Sequence, residues 1–138
     1  MADTKIILGE INITHLLNAH EALKNGLIHA KTELEQDGVI QRFEFTYELS
    51  HKMLKRFIEA TSANPQEADS MTFQELIRVG SEQGLLISGW DKWRDFRKAR
   101  GTTSHTYDEA KAIEVLSVIP DFLSEAKYLY EQISKKNS

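Results

Sequence analysis

Eight consecutive residues, Arg100-Gly101-Thr102-Thr103-Ser104-His105-Thr106-Tyr107, hold the side chains best suited to chemistry. A neutral histidine takes up a proton near pH 7, and the planar fork of an arginine holds two phosphate oxygens. Together they suit a reaction in which an RNA 2′-OH attacks its own phosphodiester. His105 would serve as base or acid, and Arg100 would bind and stabilise the phosphorane charge. No metal or cofactor is required, and the 2′-OH restricts the substrate to RNA. The plainer alternatives are that His105 bonds local backbone in a turn and that Arg100 forms an ion pair with a core acid.

The segment just upstream supports an anionic ligand. From Trp90 to Gly101 there are five basic residues and two acids, a local charge of +3 that leaves −7 on the rest of a chain whose net charge is −4. Lys92, Trp93, Arg97 and Lys98, with Ser104 beyond, make a candidate nucleotide- or RNA-binding set in which cations meet phosphates and an aromatic face stacks a base. A solvated basic face over two core tryptophans is the competing reading. At 100° per residue, Trp93, Phe96, Arg97 and Arg100 fall within an arc of about 80°, so Arg100 lies on the apolar stripe and needs a partner. Glu44 and Glu48, one turn apart on the most apolar helix, are either exposed acids on its outer edge or partners for an inward arginine.

The elements that must position these residues read as helices. Leu16, Leu17, Leu23, Leu27, Ala30 and Leu34 space a first helix, which Gln36-Asp37-Gly38 is expected to stop. Residues Ile6 to Ile13 before it fit either a first turn or an extended lead-in. A second helix is expected from about Val39 to Ala60, followed by a loop over Thr61 to Ser70. Thr72-Phe73-Gln74-Glu75 fits a capping box for a third helix, expected to fray at Gly80 to Gly84. A short fourth helix runs from about Trp90 to Arg100 and ends at Gly101. Thr106-Tyr107-Asp108-Glu109 fits another capping box, which would make Tyr107 the first residue of the last helix. A kink is expected at Pro120, and a frayed tail over Lys135 to Ser138.

The sum is an all-α fold, an antiparallel four- to five-helix up-and-down bundle over a single domain, residues 1–138. Its 138 residues contain no Cys, which removes thiol nucleophiles and Cys-ligated metals. No phosphate-cradling glycine loop or His-Glu-x-x-His motif is present, and His15 and His20 do not share a helix face. His29 and His51 read as surface or packing residues. Residues Met1 to Lys5 lack the pattern of a secretory signal and no apolar run approaches a membrane span, so a cytoplasmic location is expected.

Two blocks carry a resemblance to a known family. Gln41 to Glu59 (QRFEFTYELSHKMLKRFIE) is similar to the aromatic-rich second helix of HEPN-domain proteins of the HepT type, also called nucleotidyltransferase substrate-binding proteins. Trp93 with the Arg-x4-His-x-Tyr pattern ending at Tyr107 resembles their motif. The resemblance implies a HEPN-like bundle and a homodimer whose interface gathers the Arg and His of both chains. It also implies an adjacently encoded minimal nucleotidyltransferase of the MntA type as partner. In HepT toxins the matching residues support metal-independent RNA cleavage, and the motif Tyr accepts nucleotidyl groups that neutralise the toxin. Those roles fall on Arg100, His105 and Tyr107. The other branch of the family implies a non-catalytic substrate- or nucleotide-binding subunit. Many relatives carry Asn where this chain has Gly101, and acids where it has Lys98-Ala99.

Overall fold

The computed structural model describes residues 7–8 and 11–136. Residues 1–6, 9–10 and 137–138, which include the leader reading, Ile6 and the end of the tail, lie outside the described residues. The lead-in is extended: β1 (Ile7–Leu8) pairs antiparallel with β2 (Ile11–Asn12), in register Ile7 to Asn12 and Leu8 to Ile11. Among the described residues six helices follow: α1 (Thr14–His29), α2 (Glu33–Thr61), α3 (Gln66–Ser70), α4 (Phe73–Glu82), α5 (Trp90–Thr102) and α6 (Glu109–Lys136). A 3-10 turn over Thr103–His105 joins the last two.

Local chemistry explains most boundaries. The break between α1 and α2 falls at Ala30 to Thr32, not at Gln36-Asp37-Gly38. Thr32 and Glu35 form a reciprocal capping box there: the Thr32 hydroxyl accepts from the Glu35 amide at 3.1 Å, and the Glu35 carboxylate accepts from the Thr32 amide at 2.9 Å. The Lys31 amide, which also donates to this carboxylate at 3.0 Å, and the Thr32 amide hold the Glu35 carboxyl below its usual range. Gly38 lies inside the helix with open space around it. The expected Thr72–Glu75 box is present and starts α4. Gly84, at φ +77°, supplies the left-handed turn after α4 that other residues adopt only with strain. The expected loop over residues 61–70 contains the short α3. α6 is continuous through Pro120.

Helices α1 and α2 run antiparallel. Arg42 donates to the Ala22 carbonyl at 2.7 Å, and Thr46 donates to the Ala19 carbonyl at 3.4 Å, so register falls on one helix as it rises on the other. The core lies between α1, α2, α5 and α6, and Phe122 on α6 is its hub. Its ring lies 5.1 Å from Phe43, 5.4 Å from Phe96, and 6.2 Å from both Trp93 and Tyr47. Among the described residues the indole N–H of Trp93 is buried without a partner. That costs on the order of 1–3 kcal/mol, less than the roughly 5 kcal/mol released by burying about 200 Å² of ring.

Glu125, also on α6 and 1% exposed, accepts from the amides of Ile87 (3.0 Å) and Ser88 (2.9 Å). This clamp fixes the α4–α5 linker, and through it the start of α5. Among the described residues no helix is long and apolar enough to cross a membrane.

Phe122→Ala is expected to destabilise the fold by about 3–5 kcal/mol in urea unfolding. A loss below about 1 kcal/mol would show that the four rings close without their hub.

Candidate functional site

The candidate residues lie on α5, the 3-10 turn and the approach to α6. Phe96 and Ala99 anchor α5 in the core and leave Arg100 at the edge of the buried stripe, facing α2. Its guanidinium takes two acids of that helix, Glu44 and Glu48. Nη1 lies 3.3 Å from Glu44 Oε2, and Nε donates to Glu48 Oε2 at 2.5 Å. Of the two readings for these acids, the structure selects the inward arginine's partners. The Arg100 side chain keeps 34% of its exposure, so a solute can still reach it.

Beyond Arg100 the chain stays helical through Thr102 and then tightens, so Gly101 does not end the helix. The Thr102 hydroxyl donates to the Lys98 carbonyl and the Thr103 hydroxyl to the Arg100 carbonyl. A Cβ at Gly101 would meet nothing within 4 Å, so packing does not demand glycine there. The expected cap at Thr106 is not the one formed. The Thr106 hydroxyl donates to the Thr103 carbonyl, and the Asp108 carboxylate accepts from the Ala110 amide at 2.9 Å. α6 therefore starts at Glu109 and Tyr107 stands before it, 87% exposed. His105 ends the 3-10 turn, also exposed, its ring 6.2 Å from the Tyr107 ring. Arg100, near the end of α5, and the exposed His105–Tyr107 pair thus flank the short stretch from Gly101 to Ser104.

The upstream set divides. Trp93 is 1% exposed and packed among Tyr47, Phe73, Phe96 and Phe122. The expectation that it stacks a base is overturned, because its faces are already covered. Lys92 turns toward α6 and pairs with Asp121, away from Arg100. Lys98 and Ser104 are exposed. Arg97 is exposed and sits over the Phe73 ring, its guanidinium carbon 5.4 Å from the centroid.

His51, a surface or packing residue by its sequence, stands beside Glu48, a partner of Arg100. His51 lies one turn beyond Glu48 on α2, half-buried, with its ring 4.7 Å from that of Phe73. Burial lowers its pKa; Glu48 opposes the shift, while Lys55 and Arg97 add to it. The three-residue step from Glu48 was the available signal, since it puts both side chains on one face. Beside them the Tyr47 phenol is pushed up to about 12 by burial. Among the described residues, no group of three or more His, Asp or Glu is placed to hold a metal ion.

Residues 11–135 match the family described as "Nucleotidyltransferase substrate binding protein like". The chain is similar to the Haemophilus influenzae protein named "Probable ribonuclease HepT", at 42% identity over 100 residues, covering 72% of this chain and 68% of the relative. A solved Haemophilus influenzae structure, described as the fold of a substrate binding domain of a nucleotidyltransferase, aligns over 89% of this chain and 99% of its own. The TM-score is 0.83 at 32% identity. A Thermus thermophilus crystal structure aligns over 85% and 97%, with TM-score 0.69 at 25% identity.

A histidine whose folded pKa is depressed contributes stability that is present above the unfolded value and lost as pH falls through the folded one. The His51 ring proton is therefore expected to titrate by NMR below the ordinary 6.5. His51→Gln should flatten the loss of thermal stability between about pH 7 and 5. Identical profiles for the two proteins would refute the assignment.

Proposed function

The chain belongs to the nucleotidyltransferase substrate binding protein like family, and on that premise we propose that it is a HepT-like ribonuclease toxin paired with a minimal nucleotidyltransferase. The observation that supports this reading is a solvent-reachable Arg100 near the end of α5, followed within a few residues by the exposed His105–Tyr107 pair. An RNA phosphate displaces Glu44 and Glu48 from the Arg100 fork. His105 takes the 2′-OH proton. The 2′-oxygen attacks phosphorus and expels the 5′-oxygen, leaving a 2′,3′-cyclic phosphate and a 5′-hydroxyl. His105 of a second copy protonates the leaving oxygen, which gives the homodimer a chemical purpose. No cofactor enters this scheme.

Tyr107 is the regulatory acceptor. Its exposed hydroxyl is open to a nucleotidyltransferase active site. A nucleotide added there places a phosphodiester and a bulky nucleoside two residues from His105, repelling and blocking RNA. A cytoplasmic location follows from that substrate. One specific observation favours the alternative, a non-catalytic substrate- or nucleotide-binding subunit of the nucleotidyltransferase: two carboxylates already hold Arg100.

Controlled expression is expected to arrest growth, with Arg100→Ala or His105→Ala restoring it. Equal toxicity of wild type and variants would exclude the ribonuclease. On co-expression with the adjacent nucleotidyltransferase, intact-mass analysis is expected to find nucleotide-sized additions that Tyr107→Phe abolishes. A stable complex that uses ATP and leaves Tyr107 unmodified would support the binding-subunit alternative.

A further inference from the structure

Arg97 and Arg100 lie three residues apart on α5, and His51 and Glu48 lie three residues apart on the facing side of α2. One edge of this array is closed by the Arg100–Glu48 bond. The other is closed by Phe73, whose ring carries the Arg97 guanidinium at 5.4 Å and the His51 ring at 4.7 Å. Phe73 is the first residue of α4 and is fixed by the Thr72–Glu75 capping box. Both polar groups are thus held in place by one aromatic ring. From Glu48 an open groove of about 660 Å³ continues along α2 past His51, Lys52 and Lys55 to Asp69.

The ion pairs in this region are uneven. Arg100 is bound by two carboxylates, Lys55 by Asp69 and Arg56 by Glu59. Arg97 and Lys52 have no carboxylate within salt-bridge distance among the described residues, so they meet an incoming anion without losing a partner.

We propose that Arg97 and His51, mounted on Phe73, form a second phosphate-binding position one helical turn from Arg100, which holds the neighbouring phosphate of a single-stranded RNA. The proposal rests on Arg100 and His105 forming the phosphodiester site. Residues three apart on a helix have Cβ atoms about 5–6 Å apart, so the two arginines leave α5 at a spacing on the scale of one nucleotide step. A ligand with several phosphodiesters engages both positions, and a ligand with one engages Arg100 alone. Arg97 supplies a fixed charge, and His51 a ring N–H donor.

The test is binding of a labelled 2′-O-methyl octaribonucleotide and of a 2′-O-methyl dinucleoside monophosphate with a single phosphodiester, neither of which can be cleaved through its 2′ position. Arg97→Gln and His51→Gln are each expected to weaken octamer binding about 5- to 10-fold, with Arg97→Gln reducing the salt slope by about one. Both should leave dinucleotide binding within about twofold of wild type, whereas Arg100→Ala weakens both ligands. Arg97→Lys should recover most octamer affinity, and circular dichroism melting verifies that each variant folds. Unchanged octamer binding by Arg97→Gln and His51→Gln, or equal losses on both ligands, overturns the second position and leaves the proposed function standing. Failure of the folded wild type to bind either ligand removes the proposed function, and the second position with it.

Discussion

The packing of Phe122 against Phe43, Tyr47, Trp93 and Phe96 sets the distance between three helices at once. Aromatic edges and faces meet here in near-perpendicular and tilted pairs, a geometry that tolerates little sliding. Because Trp93 and Phe96 are seated, the next turns of α5 have no freedom of azimuth. Ala99 must face inward, Arg100 must lie at the seam with α2, and Arg97 must lie over Phe73. The polar site is thus a consequence of apolar packing, which fixes the angle at which each cation leaves its helix.

The Arg100 ion pairs have a different character. The three side chains are 34%, 39% and 54% exposed, and pairs of that kind contribute little net stability. Their consequence is electrostatic. Two carboxylates beside one guanidinium leave the seam mildly negative, so Arg100 does not attract just any anion. In the proposed function, a phosphate would have to offer a bidentate fit good enough to displace both acids, so that the acids of α2 would contribute to selectivity.

Much of this arrangement was legible in the sequence because it depends on local periodicity. Helical phase placed Arg100 on the apolar stripe, and the Thr72–Glu75 spacing announced a capping box that the structure contains. The errors came where two local signals competed. Asp37-Gly38 resembles a stop, but Thr32-Glu33-Leu34-Glu35 is a start four residues earlier, and a helix already nucleated by a reciprocal cap propagates through one exposed glycine at about 1 kcal/mol. Thr106 and Asp108 were rival caps for α6. The 3-10 turn used the threonine hydroxyl for its own closure, which left the carboxylate to cap. Trp93 among basic residues fits a stacking platform or a core ring equally well. Phe122, 29 residues away, decides between them, and no local pattern contains that information. The same is true of His51, whose neighbours Phe73 and Arg97 come from two other helices.

Glu125 is a buried carboxylate committed to two backbone amides of a distant linker. Pulling the linker away would leave that buried carboxyl without its two donors, a cost on the order of 1–3 kcal/mol. Fraying of the α4–α5 linker is therefore coupled to the middle of α6. In hydrogen exchange, α5 and the centre of α6 should behave as one cooperative unit that opens near the global unfolding free energy. The cations of α5 thus ride on an element tied by this clamp to the middle of α6, while His105 and Tyr107 lie just past its end.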